Sequence, residues 1–162
     1  MIGLKRGIVK LVPHNKKWSL LFEKEKTRLL KEIAGDAIMI EHIGSTSIPG
    51  IKAKPVIDIA YGVKSMKDHK KHTKVLIKAG YVLRPGLGRV DRHLVFAKGT
   101  NKTRTHYLHL MKFRGKEWNY HIFFRDYLRN HKQAARKYER IKEKSMNKFR
   151  NNRKLYQKEK NS

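Results

Sequence analysis

Residues 40–61 read IEHIGSTSIPGIKAKPVIDIAY, and the rest of the chain is arranged around them. Ile40 and Ile43 belong to a strand predicted over Ala37–Ile43. The segment then breaks at Gly44-Ser45-Thr46-Ser47, with Pro49 and Gly50 close behind, so Gly44–Lys54 cannot stay regular for long. From Pro55 to Val63 it is apolar and β-branched apart from Asp58, the pattern of a buried strand. Two strands joined by a small-residue turn thus frame one carboxylate, which needs a partner because a bare charge in such a strand is costly.

Upstream, Gly7–Val12 reads as extended. A helix is predicted from Asn15 to Ala34, with Trp18, Leu21, Phe22, Leu29, Leu30 and Ile33 on one face and Gly35 as its stop. Downstream, Ser65 and Asp68 form a capping-box start for a helix to Ala79, closed by Gly80. A short strand at Tyr81–Leu83 leads into a loop through Pro85, Gly86 and Gly88. Strands over His93–Ala97 and Thr105–Met111 flank a polar turn at Gly99–Lys102. The remainder is helical: Trp118–Arg129, Lys132–Phe149, and a shorter piece after Asn152, with fraying expected over the final ten to twenty residues. Trp118, Ile122 and Tyr138 read as core between these C-terminal helices. The order of elements predicts one mixed α+β domain over residues 1–162.

Composition limits the function. At 162 residues and 39% hydrophobic, the chain can bury a core without staples. Cysteine is absent, which excludes disulfides, thiolate zinc sites and a cysteine nucleophile. The formal charge of +27 attracts polyanions, so nucleic acid bound through the basic surface is one expected partner class. The excess is spread out rather than clustered. Residues 112–162 hold seventeen basic and five acidic groups, and residues 1–111 hold twenty-three and eight. Met1–Val12 carries Lys5, Arg6 and Lys10 where a signal peptide needs apolar residues, and no run has the length to cross a bilayer. A cytoplasmic protein without a membrane partner is expected.

The chemistry converges on the framed carboxylate. Gly44-Ser45 ends a strand, where small residues let backbone N–H groups approach an anion. Ser45, Thr46 and Ser47 add hydroxyl donors, Asp58 can face a metal, and Lys52 and Lys54 can neutralise Asp58 or a phosphate. That set suits a magnesium–nucleotide site. The same residues also make an ordinary loop and a structural carboxylate. Glu41 and His42 alternate, so only one faces the site. Arg92 and His93 open a strand and can contact a substrate phosphate. Arg125 and Arg129 share a helix face and can grip an anion, unless Arg129 pairs with Asp126.

His42-Ile-Gly-Ser-Thr-Ser-Ile-Pro-Gly50 followed by Ala53-Lys-Pro-Val-Ile-Asp-Ile59 resembles the signature of the GrpB-like family of the nucleotidyltransferase superfamily. Gly80-Tyr81, Tyr107-Leu-His109, Trp118, Phe124-Arg-Asp-Tyr-Leu-Arg129, Tyr138 with Lys142, and Tyr156 with Lys158 extend the resemblance from Val9 to Lys160. It implies an α+β nucleotidyltransferase-like fold, a small mixed β-sheet flanked by helices with a helical C-terminal part. It implies that Gly44 and Ser45, with Thr46 and Ser47 beside them, hold the phosphates of a nucleoside triphosphate. Asp58 becomes the first metal carboxylate, and a nucleotidyl or phosphoryl group passes to an acceptor. Some family members are fused to dephospho-coenzyme A kinase or acetyltransferase domains.

One departure matters. Active members of the superfamily carry a second carboxylate two residues on, where alternate strand residues share metals, and this chain has Ala60 there. Thr105–Met111 offers no third carboxylate. His109 can fill that place as a nitrogen ligand, with Tyr107 on the same face and His106 on the other, and nitrogen suits manganese, iron or zinc better than magnesium. The expectation is therefore catalysis by Asp58, His109 and Lys54, and a divalent metal (magnesium or manganese, with zinc a further candidate) on Asp58 and His109. Phosphate contacts are expected from Gly44, Ser45, Thr46, Ser47, Arg92, Arg125 and Arg129. The competing expectation is a lapsed, basic module that binds nucleotide or nucleic acid.

Overall fold

The computed structural model describes residues 2–33, 37–100 and 102–148. In chain order they form β1 (Leu4–Lys5), α1 (Lys17–Ile33), β2 (Met39–Ile43), β3 (Ile57–Val63), α2 (His69–Lys78), β4 (Val82–Leu83), β5 (His93–Gly99), β6 (Thr103–Lys112), α3 (Lys116–Asn130) and α4 (Lys132–Lys148). The sheet runs β2-β3-β6-β5-β4, with β1 beside the start of β6. Among the described strands only β3 and β6 are parallel, and they form the sheet's centre.

Alternation along the strands splits the sheet into two unlike faces. Ile57, Ile59, Tyr61 and Val63 of β3, with Leu108 and Leu110 of β6, pack against Trp18, Phe22 and Leu29 of α1 and Leu76 of α2. Removing such a side chain from water contributes about 1.5–3 kcal/mol, so this face holds most of the core. The stripe on α1 runs Trp18, Phe22, Glu25, Leu29. Leu30, expected on it, is exposed, because it lies about 100° around the helix from Leu29. Glu25 takes the inward place and is satisfied by Arg28 at 2.7 Å, Lys98 at 2.9 Å and the Tyr81 hydroxyl at 2.8 Å. Burial pushes its carboxyl up, but these bonds outweigh burial and hold it at about 2.

The opposite face is covered by α3. Trp118 packs on Ile43, Ala60 and Met111, with Phe113 and Ile122 around them. Gly62 makes this possible, since a Cβ there would stand 2.8 Å from the Trp118 ring. Tyr138 does not join that group. It packs with Phe124 beside Ile48, Ile51, Leu128 and Ala135, so the C-terminal helices serve two separate clusters rather than one shared core. α2 begins differently from expectation as well. Ser65 accepts from the Lys67 amide at 3.1 Å, and a single 3₁₀ turn, Met66–Asp68, precedes the helix. Gly35, the piece after Asn152 and the expected terminal fraying lie outside the described residues. Among those residues, no helix is long and apolar enough to cross a membrane.

Candidate functional site: the Gly44 turn, Asp58 and three histidines

Gly44 adopts φ 70°, ψ −175°, a region open essentially to glycine alone. Its predecessor Ile43 is the register partner of Asp58 across β2 and β3. A Cβ on Gly44 would come within 2.9 Å of the Asp58 Cβ and 3.0 Å of its Cγ. The turn backbone therefore lies directly on the carboxylate, and Ser45 follows it.

The other two hydroxyls are spent inside the turn. The buried Thr46 Oγ1 donates to the Val56 carbonyl at 3.3 Å and lies 3.0 Å from His42 Nε2. The Ser47 hydroxyl donates back to the Gly44 carbonyl at 2.6 Å. Thr46 and Ser47 fix the turn's shape instead of presenting their hydroxyls to a phosphate, which corrects that expectation. Ser45 is half-buried, with its oxygen 3.5 Å from the Tyr138 hydroxyl.

Register places the rest. Asp58 lies opposite Tyr107, and Ala60 lies between Glu41 of β2 and His109 of β6. Asp58 keeps 31% of its side chain exposed, so it is less enclosed than a mid-strand residue would be. His109 joins it as expected, with Nε2 3.5 Å from Asp58 Oδ1. The other nitrogen, Nδ1, sits 2.8 Å from His93 Nε2. His121 of α3 closes the group, with ring centroids 5.8 Å from His93 and 5.4 Å from His109. One nitrogen from each of the three rings lies within 4.8 Å of the others. Burial, then the neighbouring His109 and His121, push His93 down to about 3. His93 thus belongs with His109 and not with a phosphate. His121 escaped the sequence reading, although its place three residues after the buried Trp118 puts it on the inward face of α3.

Several expected contributors are engaged elsewhere. Ala60 is fully buried beneath Trp118, so no second carboxylate site is built there. Glu41 faces this side and is taken by Arg125 at 2.7 Å. Arg125 also binds Asp126 at 2.7 Å and the His42 carbonyl at 3.0 Å, so it is a buried bridge from α3 to β2 and not half of an anion clamp. Arg129 instead donates Nε to the Ser47 carbonyl at 2.9 Å, which puts its exposed guanidinium beside the turn. Arg92 is exposed and pairs with Asp91 at 3.4 Å. Lys52 pairs with Glu143 of α4 at 2.6 Å, away from Asp58. Lys54 is half-buried on the segment leading into β3. His42 turns to the opposite face and stacks on Phe22 at 4.8 Å, with its pKa lowered to about 4 by burial. His106 also faces that side and is held at about 4 by burial.

Comparison with known proteins agrees with this architecture. The family model described as GrpB protein matches residues 8–162. The chain is 41% identical to the glutamate-rich protein GrpB of Alkalihalophilus pseudofirmus, over 99% of this chain and 94% of that protein. Against the UPF0157 protein YqkA of Bacillus subtilis it is 37% identical, over 83% of this chain and 38% of that longer protein. A stretch covering 47% of the chain is 34% identical to 19% of a dephospho-CoA kinase from Mycolicibacterium paratuberculosis. The crystal structure of the conserved protein GrpB from Enterococcus faecalis superimposes with a TM-score of 0.80 at 27% identity, covering 94% of this chain and 95% of that one. The mixed six-stranded sheet with the four described helices is the nucleotidyltransferase-like fold, and the chain belongs to the GrpB family.

Proposed function

We propose that this protein binds a nucleoside triphosphate with a divalent cation and transfers a nucleotidyl or phosphoryl group to a small acceptor. The observation that carries this is the Gly44 backbone lying on the Asp58 carboxylate, with His109 on the carboxylate's other side. A tight turn beside a metal-facing acid is what a charged phosphate chain needs. The cation belongs at the Asp58–His109 pair, where it would neutralise phosphate oxygens. The donors there, one carboxylate and nearby imidazoles, fit a nitrogen-accepting cation better than magnesium. Lys54 and Arg129 supply fixed positive charge, so the chain's own contribution is positioning and charge neutralisation. The partial similarity to a dephospho-CoA kinase supports a nucleotide setting. A thermal-shift screen of nucleoside triphosphates and coenzyme A precursors, each with magnesium, manganese and zinc, tests the proposal. A ligand at a hundred times its Kd adds about 2.7 kcal/mol, or about 5–10 °C for a chain of this size. A shift of that order that disappears in Asp58→Asn supports it. No shift with any pair overturns it.

A second function is favoured by the outer face of α3. Tyr120, Phe123 and Tyr127 are exposed there, Phe123 by 71%, and the stack Phe123, Tyr127, His131 closes to 4.0 Å between the last two rings. Exposed rings on a strongly basic protein suit the stacking of single-stranded nucleic acid. Binding that falls steeply with salt, weakens in Phe123→Ala and ignores Asp58→Asn would establish this function instead.

A further inference from the structure

We infer that His93, His109 and His121 form a tri-histidine site for a zinc-like divalent cation, with Asp58 acting behind His109 rather than as a ligand. The inference refines the cation half of the proposed function, moving the cation from the Asp58–His109 pair onto the three rings, and rests on that reading only for the cation's use, since the site requires no nucleotide.

The three rings come from the first residue of β5, the middle of β6 and the inward face of α3. They are far apart in the chain, and the fold brings them into one cluster whose ligand nitrogens all lie within 4.8 Å. All three are half-buried. Their proton arrangement is fixed from one end. A carboxylate beside His109 Nε2 favours the tautomer that carries its proton there. That leaves a lone pair on Nδ1, which points at His93 Nε2 only 2.8 Å away. Without a cation, one shared proton must sit between these two nitrogens. A cation takes the place of that proton, which passes to the other nitrogen of His93, and draws on both lone pairs, with His121 as the third.

Zinc–nitrogen bonds of about 2.0–2.1 Å set tetrahedral nitrogens about 3.3 Å apart, so His93 and His109 part by about half an ångström from 2.8 Å while His121, within 4.8 Å of both, closes in. Three protein ligands leave a fourth position for water or substrate, the arrangement of a reactive centre rather than a closed structural one. A carboxylate behind a ligand histidine is the usual outer support, orienting the ring and raising its basicity. Asp58 fills that role, and the Gly44 turn lying on it ties the phosphate side of the site to the cation side. The site also explains the absence of a second carboxylate. With three imidazoles converging from β5, β6 and α3, Ala60 is free to lie under Trp118.

The test uses the full chain, without added affinity histidines and freed of metal by a chelator. Cobalt(II), which takes the same nitrogen donors, is titrated by visible absorption, and zinc by calorimetry. The expected result is one cobalt per chain with the intense spectrum of a four-coordinate ion, displaced by zinc. Binding is lost in His93→Ala and His121→Ala. His121→Gln, which keeps the helix face filled, is the control against misfolding and also loses it. Asp58→Asn keeps the stoichiometry but binds about 10–100-fold more weakly. His106→Ala, on the opposite face, binds as the natural chain does. Failure of the natural chain to take up cobalt or zinc, or uptake that persists without His93 and His121, overturns the site. Nucleotide binding with magnesium but no cobalt uptake would refute the triad and leave the proposed function standing. Cobalt uptake without nucleotide binding would do the reverse.

Discussion

Gly44→Ala is predicted to damage stability and ligand binding together, and the structure sets the size of the effect. At φ 70°, ψ −175° the backbone of any other residue is strained by about 1–3 kcal/mol. The new methyl group would also press on the Asp58 side chain, whose Cγ lies 3.0 Å from its position. Overpacking of that kind costs about 1–3 kcal/mol more. The sum is centred on about 4 kcal/mol, which lowers the melting temperature by about 10 °C in a chain of this length. Gly50→Ala is the matched control. It too has positive φ, 80°, but nothing lies within 4 Å of its added Cβ. Only backbone strain applies, about 1–2 kcal/mol, for a drop of about 4 °C. Differential scanning calorimetry of both variants, followed by nucleotide titration of each, separates the two contributions. The turn's contact with Asp58 is not what the structure indicates if Gly44→Ala melts no lower than Gly50→Ala, or keeps full affinity for nucleotide.

Ala60→Asp restores the carboxylate that the wider superfamily uses, yet it should harm the protein. The new charge would be buried under Trp118 and Ile122, at a cost of more than about 2 kcal/mol in urea unfolding, with no gain in metal affinity. A stable Ala60→Asp that binds manganese more tightly would contradict this. Stability should also fall in mild acid. His42, His93 and His106 are held at about 4, 3 and 4, below the value near 6.5 of an unfolded chain. Between those limits the unfolded chain binds more protons, so their contribution is complete above pH 6.5 and is lost as the pH falls toward 4. His42, only 6% exposed, alone accounts for about 1–2 kcal/mol between pH 7 and 5. Urea midpoints measured with chelator at both pH values should show it, and an unchanged midpoint would refute it.

The parts of this architecture that repeat locally were legible in the sequence. Strand alternation placed Asp58, Tyr107 and His109 on one face and His106 on the other, because a two-residue period needs no knowledge of the tertiary structure. Gly44 and Asp58 were legible as neighbours because Gly44 follows the end of β2 and Asp58 lies near the start of the strand that follows the irregular stretch, and the two strands pair there. What depended on how α3 docks was not legible. His121 reaches the histidine pair through the docking of α3 in which Trp118 packs close over Gly62. Arg125 looked available until Glu41, 84 residues earlier, supplied its partner. Thr46 and Ser47 misled because a hydroxyl that could meet a phosphate can equally bond the turn that carries it. On α1, a buried Glu25 in place of Leu30 could not be foreseen without Lys98 of β5 and Tyr81, which precedes β4.

The proposed function requires the Gly44 turn and Asp58 to act on one charged ligand. Isothermal titration of the manganese–ATP complex into the natural chain and into Asp58→Asn tests it most directly. Saturable binding by the natural chain is expected, with affinity about 10–100-fold weaker in the variant and the melting temperature of the unliganded protein little changed. Equal affinities for the two proteins would contradict it.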